Sequence, residues 1–121
     1  MPDQTTTISE LKDLMQQFVA DRDWQPFHTP KNLSMSLAIE AAELMEHFQW
    51  VENPMGPTER DEIDRQGVQE ELADVMCYAL SFATAMNIDI ADAVREKMKK
   101  NAQKYPAEQF KGRYQIRDER G

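Results

Sequence analysis

Residues 71–88 read ELADVMCYALSFATAMNI, and after Glu71 the only charged side chain in the run is Asp74. Alternating apolar and polar patterns are scarce here and elsewhere, whereas helical periods dominate. The run reads as a helix from about Val68 to Met86, ended by Asn87. A helix this apolar is expected to be buried nearly all round. Glu71 and Asp74 stand three apart and therefore share a face, which Tyr78 continues and Val75 and Phe82 border.

A second stretch, residues 38–50 (AIEAAELMEHFQW), repeats the arrangement. Glu40 and Glu43 are three apart, and His47 falls beside them on a wheel of about 100° per residue. Leu33, Leu44 and Val51 flank that stripe on one side, Ile39 and Trp50 on the other, while Glu46 points away. This helix is expected to start at Thr29 and Pro30, with Asn32 as an alternative cap, and to reach about Val51.

Working outward, a first helix is expected from Ile8 to Arg22, opened by a capping-box pattern of Thr7 with Glu10. A loop follows from Asp23 to Pro30. Asn53 to Thr58, with two prolines and a glycine, reads as a second loop. Glu59 to Gln66 is a candidate short polar helix. A fourth helix begins near Asp89, where Asp92 completes another capping pattern, and runs to about Lys104, before Pro106. The fold class is thus all-α, four to five helices in one domain over residues 1–106. Residues 107–121 read as a charged arm or disordered tail.

The 121 residues are enough for one domain with a real core, since a chain of this size buries roughly two thirds of its unfolded surface. Cys77 is the single cysteine, so no intrachain disulfide forms, and a reducing, cytoplasmic setting is expected. The first ten residues lack a signal-peptide pattern, and no apolar run is long enough to span a bilayer. A net charge of −8 disfavours nucleic-acid polymers and anionic membranes as partners. The same charge is compatible with an anionic substrate if the acids hold divalent cations that the substrate shares.

Four carboxylates on apolar helices need compensation, because burying ionised groups without partners costs several kcal/mol each. Salt bridges are one answer, but basic residues are scarce near these acids. Protonation through raised pKa values is a second, weaker for four groups together. A divalent cation is the third, and all-oxygen ligation suits magnesium, a hard ion that keeps waters and shares phosphate oxygens. A di-iron bundle would require Glu-x-x-His pairs on two helices. Glu43 and His47 are four apart, which argues against iron.

The pattern Glu40-x-x-Glu43, a gap, then Glu71-x-x-Asp74 resembles the metal motif of the MazG-like all-α nucleoside triphosphate pyrophosphohydrolases. RDWQPFHTPKNL (22–33), EAAELMEHFQW (40–50), QEELADVMCYAL (69–80) and KMKKNAQKYP (97–106) resemble consecutive blocks of its dCTP pyrophosphatase branch. The resemblance implies an oligomeric helical bundle, a dimer or tetramer, that hydrolyses a nucleoside triphosphate to a monophosphate and pyrophosphate for pool sanitation. It implies Glu40, Glu43, Glu71 and Asp74 as ligands of Mg2+, with Mn2+ as a substitute. One of these acids would also orient the attacking water. A non-catalytic nucleotide-binding or regulatory protein of the same fold is the alternative.

Lys97, Asn101 and Lys104 share a face of the fourth helix at i, i+4 and i+7. A solvated basic helix end explains Lys99 and Lys100. For Lys97, Asn101 and Lys104 the resemblance implies phosphate contacts. It likewise implies Trp24, His28, Trp50 and Tyr78 as base-binding residues, with Phe27, Phe48 and Phe82 left to the core. His47 is expected to be a supporting residue. The dCTP-specific relatives carry histidine at the position aligned with Met15, and arginine where Lys31 stands. Methionine cannot replace the hydrogen bonds of histidine to a base, so weaker selection for cytosine is expected.

Overall fold

A computed structural model of the chain describes residues 1–53, 56 and 63–112. It contains α1 (Ile8–Asp21), a 3₁₀ turn (Gln25–Phe27), α2 (Pro30–Glu46), α3 (Arg65–Ala85), α4 (Ile90–Lys104) and α5 (Ala107–Phe110). No strand occurs among the described residues, so the all-helical expectation holds. The chain divides into two compact units, residues 1–88 and 89–121. No helix among the described residues is long and apolar enough to cross a membrane.

Each long helix starts where a side-chain oxygen satisfies an otherwise unpaired backbone N–H. Thr7 Oγ1 accepts from Glu10 N at 3.1 Å, and Thr29 Oγ1 accepts from Asn32 N at 3.2 Å, with Pro30 at the first helical position. Asp89 Oδ1 accepts from Asp92 N at 2.9 Å. Thr29 is therefore the cap of α2, not Asn32. Asn87 ends α3 in the left-handed region, φ 54°, and Ile88 N donates back to Ala83 O at 2.8 Å. That bond is the C-terminal closure a left-handed residue permits.

Two boundaries differ from expectation. α2 stops at Glu46, five residues before Val51. His47 N and Phe48 N already bond three residues back, to Leu44 O and Met45 O, so the last turn tightens. Phe48, Trp50 and Val51 are aromatic or β-branched and lose side-chain freedom in a helix, which weakens continuation. Trp50 and Val51 therefore do not extend the acidic stripe. α3 starts at Arg65, three residues before Val68, because Asp64 Oδ1 accepts from Gly67 N at 3.0 Å. Gly67 is tolerated in this first turn, where its N–H is held by the cap. Of the expected 53–58 loop and 59–66 helix, residues 54, 55 and 57–62 lie outside the described residues, as do 113–121 of the expected tail. Residues 107–110, expected to lack a helical period, form the one-turn α5.

In the first unit, α2 and α3 pack along one another and α1 packs on α3. Val19, Leu33, Leu80 and Ala83 are the buried apolar core. α3 is not buried all round in the single chain. Leu72 and Met76 are 51% and 48% exposed, and Asp74 is exposed too. The reason is geometric: α1 and α2 cover part of the circumference of α3, and two helices do not enclose a third. Phe27 and Phe48 are also exposed, against the core expectation.

Candidate functional site

The C-terminal end of α2 lies against the N-terminal end of α3. A side-chain carbon added at Gly67 would come within 2.9 Å of His47 Cε1 and 2.5 Å of Asp64 Oδ2. Gly67 thus permits a close approach, and a larger residue would have to displace the side-chain ends of His47 and Asp64. One turn inward from this contact stand Glu43 on α2 and Glu71 on α3, so the two helices run antiparallel and carry their acids toward each other. Glu40, Glu43 and Glu71 each offer a carboxylate oxygen, and these oxygens lie within 4.8 Å of one another. All three residues are half-buried.

Electrostatics make this group costly when empty of positive charge. Glu40 Oε2 and Glu71 Oε2 are buried and have no hydrogen-bond partner. The neighbouring carboxylate of Glu71, then burial, then Glu43 push the carboxyl of Glu40 up from 4.5 to about 7. Like charges close together cannot all ionise cheaply, and a retained proton relieves the repulsion. A hard divalent cation would relieve it more fully. Three carboxylates with two unpartnered oxygens fit such an ion by ligand type and by need. No Lys or Arg salt bridge to these three acids occurs among the described residues, where the recorded ion pair is Lys99 with Glu96.

Asp74, one turn beyond Glu71 on α3, is exposed and stands outside the three-carboxylate group. Its charge, after burial, helps raise the thiol pKa of the half-buried Cys77. His47 is half-buried and caps the end of α2, so it shapes the helix crossing beside the acids. Glu46 is exposed, as the wheel indicated.

A cavity of about 320 Å3 opens between α1, the 3₁₀ turn and α3. Met15, Val19, Ala20 and Ala85 give it apolar walls. Gln16, Gln25, His28, Ser81 and Thr84 give it polar ones. Of the base-binding set inferred from the sequence, His28 lines this cavity, as does Met15. Trp24, Trp50 and Tyr78 are not among its lining residues. Trp24 packs edge-on against Phe18 at 5.8 Å, with the Arg22 guanidinium 3.7 Å from the Phe18 ring centre. Trp50 is 85% exposed and Tyr78 half-buried. Sequence reading passed over Gln16, Gln25, Ser81 and Thr84. Ser81 and Thr84 were legible as the hydroxyl pair, three apart, in an otherwise apolar helix. The two glutamines carried no such signal, since glutamines are common on any wet helix face.

In the second unit, Lys97, Asn101 and Lys104 lie along α4. Asn101 is half-buried and its amide donates to Met98 Sδ at 3.8 Å. Lys104 Nζ lies 5.5 Å from the Tyr105 ring centre. Lys97 is exposed.

This arrangement has relatives. Residues 35–116 match the family described as MazG-like. The chain is 38% identical over 107 residues to dCTP pyrophosphatase 1 of Mus musculus, covering 88% of this chain and 63% of that protein. It is 39% identical over 102 residues to dCTP pyrophosphatase 1 of Homo sapiens, covering 84% and 60%. The chain therefore spans about three fifths of the length of these relatives. Among solved structures, a pyrophosphatase from Archaeoglobus fulgidus superposes with a TM-score of 0.75 at 38% identity, covering 88% of this chain and 98% of that one. The matched segment takes in most of α2, all of α3 and α4, and every carboxylate of the acidic pairs, and it exceeds half the sequence; the chain belongs to the MazG-like family.

Proposed function

We propose that the chain hydrolyses a nucleoside triphosphate, dCTP or a related or modified deoxynucleotide, to the monophosphate and pyrophosphate. The observation that carries this reading is the group formed by Glu40, Glu43 and Glu71, with two buried carboxylate oxygens lacking any partner. Support comes from the names of the relatives, dCTP pyrophosphatase 1 and a pyrophosphatase. In this reading Glu40, Glu43 and Glu71 hold magnesium, or manganese in its place, and Asp74 joins them from the next turn of α3. The bound ion would supply a water of lowered pKa and positive charge against the phosphates. The carboxylates hold and orient, and one of them receives the proton of the attacking water. Lys97, Asn101 and Lys104 contact phosphates from α4. Trp24, His28, Trp50 and Tyr78 are assigned to the base.

The reading extends to assembly and setting. Ile39, Met45, Leu72 and Met76 leave apolar surface on α2 and α3 exposed in the single chain. Self-association as a dimer or tetramer would cover it. Domain function is assigned to residues 1–106. The setting is the cytoplasm, the role nucleotide-pool sanitation, and neither a nucleic-acid polymer nor a membrane is a partner.

Incubation of the chain with magnesium and each natural or 5-substituted deoxynucleoside triphosphate tests the reaction. Release of pyrophosphate and the matching monophosphate is expected from at least one. Its absence from all of them overturns the proposal in favour of a nucleotide-binding protein without turnover. Sedimentation tests the assembly, and a stable monomer at micromolar concentration would refute it.

A further inference from the structure

The last turn of α1 and the residues just after it gather a cation and two aromatic rings. Phe18 and Arg22 stand four apart, a spacing that brings side chains together on a helix. Arg22 Nη1 donates to Phe18 O at 3.0 Å, and its guanidinium carbon lies 3.7 Å from the centre of the Phe18 ring. The Trp24 ring meets Phe18 edge-on, with centres 5.8 Å apart and planes at 73°. The same guanidinium stands 6.0 Å from the Trp24 ring centre. Both distances fall within the range over which a cation is drawn to an aromatic face.

The backbone holds Trp24 as well. Asp23 takes the left-handed region, φ 51°, and this reversal lets Trp24 N donate to Val19 O at 3.1 Å. Val19 belongs to the buried core, so the main chain of Trp24 is tied to the packed interior. Arg22 has no carboxylate partner among the described residues, where the recorded ion pair is Lys99 with Glu96. Its guanidinium is engaged instead by two rings and one carbonyl. A helix-terminal arginine bonding a free carbonyl explains the contact with Phe18 O by itself. It does not explain why the guanidinium lies over Phe18 and beside Trp24. Trp24 remains 43% exposed, so a ring held at one edge still has surface to offer.

A ring already fixed in one position loses less freedom when a base stacks on it, and preorganisation of this kind is read out as affinity. We propose that Phe18 and Arg22 are positioning residues that hold the Trp24 indole ready to stack on the base of the nucleotide. The inference rests on the reading that assigns Trp24 to the base, and it deepens that reading by naming what keeps the ring in place. The hold comes from the planar guanidinium and the Phe18 ring, not from net charge. Lysine, with a compact ammonium in place of the planar fork, does not reproduce such a stack. Neither Phe18 nor Arg22 need touch the nucleotide.

Titration of the full chain with dCMP in the presence of magnesium tests this without requiring turnover. A Trp50→Phe background leaves Trp24 as the single tryptophan, so its emission and near-ultraviolet circular dichroism can be followed alone. Quenching is expected as the base covers the indole. Phe18→Leu and Arg22→Lys both preserve the charge of the chain and alter exposed positions. Each should flatten the dichroism of Trp24 and raise the dCMP dissociation constant about two- to tenfold. Helical circular dichroism and a separate magnesium titration should stay unchanged, and if one variant fails to fold the other decides. Absence of quenching by dCMP overturns the proposal. So does an unchanged dCMP affinity, a loss of affinity with the Trp24 dichroism intact, or a loss of magnesium affinity to match. Failure of every triphosphate to be hydrolysed would instead overturn the proposed reaction, and the dCMP titration would still decide the role of Phe18 and Arg22.

Discussion

The two ends of α3 differ in chemistry. At Glu71 the helix meets α2 in a group of like charges that gain most when an ion is present. At Ser81 and Thr84 it lines a neutral cavity that also carries amide and imidazole groups. The first site is rigid in its demand, because two buried carboxylate oxygens have no partner. The second is permissive, because its groups can donate or accept. In the proposed reaction the metal and the phosphates belong at the charged end, whereas the cavity has no charged side chain in its lining.

The sharpest way to break that comparison is to neutralise the charged end. Glu43→Gln should lower turnover more than about 100-fold, since even changes in the partners of metal ligands cost about 10–100-fold. Helical circular dichroism should be unchanged. Asp74→Asn is expected to do likewise if the exposed acid joins the metal, and near-normal rates would remove it from the site. Glu46→Gln, on an exposed position, should leave turnover intact.

A second effect is a pH dependence of the metal-free protein. The carboxyl of Glu40 is raised from 4.5 to about 7, so the folded state binds its proton more tightly than the unfolded chain. The associated stability is present below pH 4.5 and is lost as pH rises through about 7. Thermal melts of the metal-free chain should therefore show Tm falling between pH 5 and pH 8. Added magnesium should flatten the curve at its upper end, as should Glu40→Gln. A Tm that rises over this interval would contradict the assignment.

Next in size is Gly67→Ala. Alanine is the better helix former by about 1 kcal/mol, yet its Cβ would collide with His47 and Asp64. Loss of the Asp64 cap alone costs roughly 1 kcal/mol, and pushing His47 adds to it. A modest fall in Tm is expected, with a larger loss of magnesium affinity, because the acids sit one turn away. His47→Ala in the same chain should restore part of that affinity. Stabilisation by Gly67→Ala would show that the helix crossing has room to spare.

The smallest effects separate the tryptophans. Trp24 packs on Phe18, so Trp24→Ala should lower Tm by a few degrees. Trp50 is 85% exposed, so Trp50→Ala should leave Tm within about a degree. If either ring stacks on a base, its loss should raise KM more than it lowers kcat, because stacking is present in ground and transition states alike.

Local rules were legible in the sequence wherever one side chain settles one backbone group. Thr7, Thr29 and Asp89 cap their helices as their spacing indicates, and Asn87 takes the left-handed turn that ends α3. The acidic pairs were legible because a spacing of three places both acids of a pair on one helix face, and the resemblance to the MazG-like family followed from the same blocks. What the sequence could not supply was anything that depends on a neighbour from another helix. The end of α2 at Glu46 reflects a run of aromatic and β-branched residues that periodicity alone overlooks. The exposure of Asp74 and Leu72 follows from how much of α3 two packed helices cover. The cavity joins Gln16 and Gln25 to Ser81 and Thr84 across more than fifty residues, and only the packing of α1 on α3 brings them together. Spacing along one helix fixes which residues share a face; which faces meet depends on how side chains fill the space between helices, and that is decided in three dimensions.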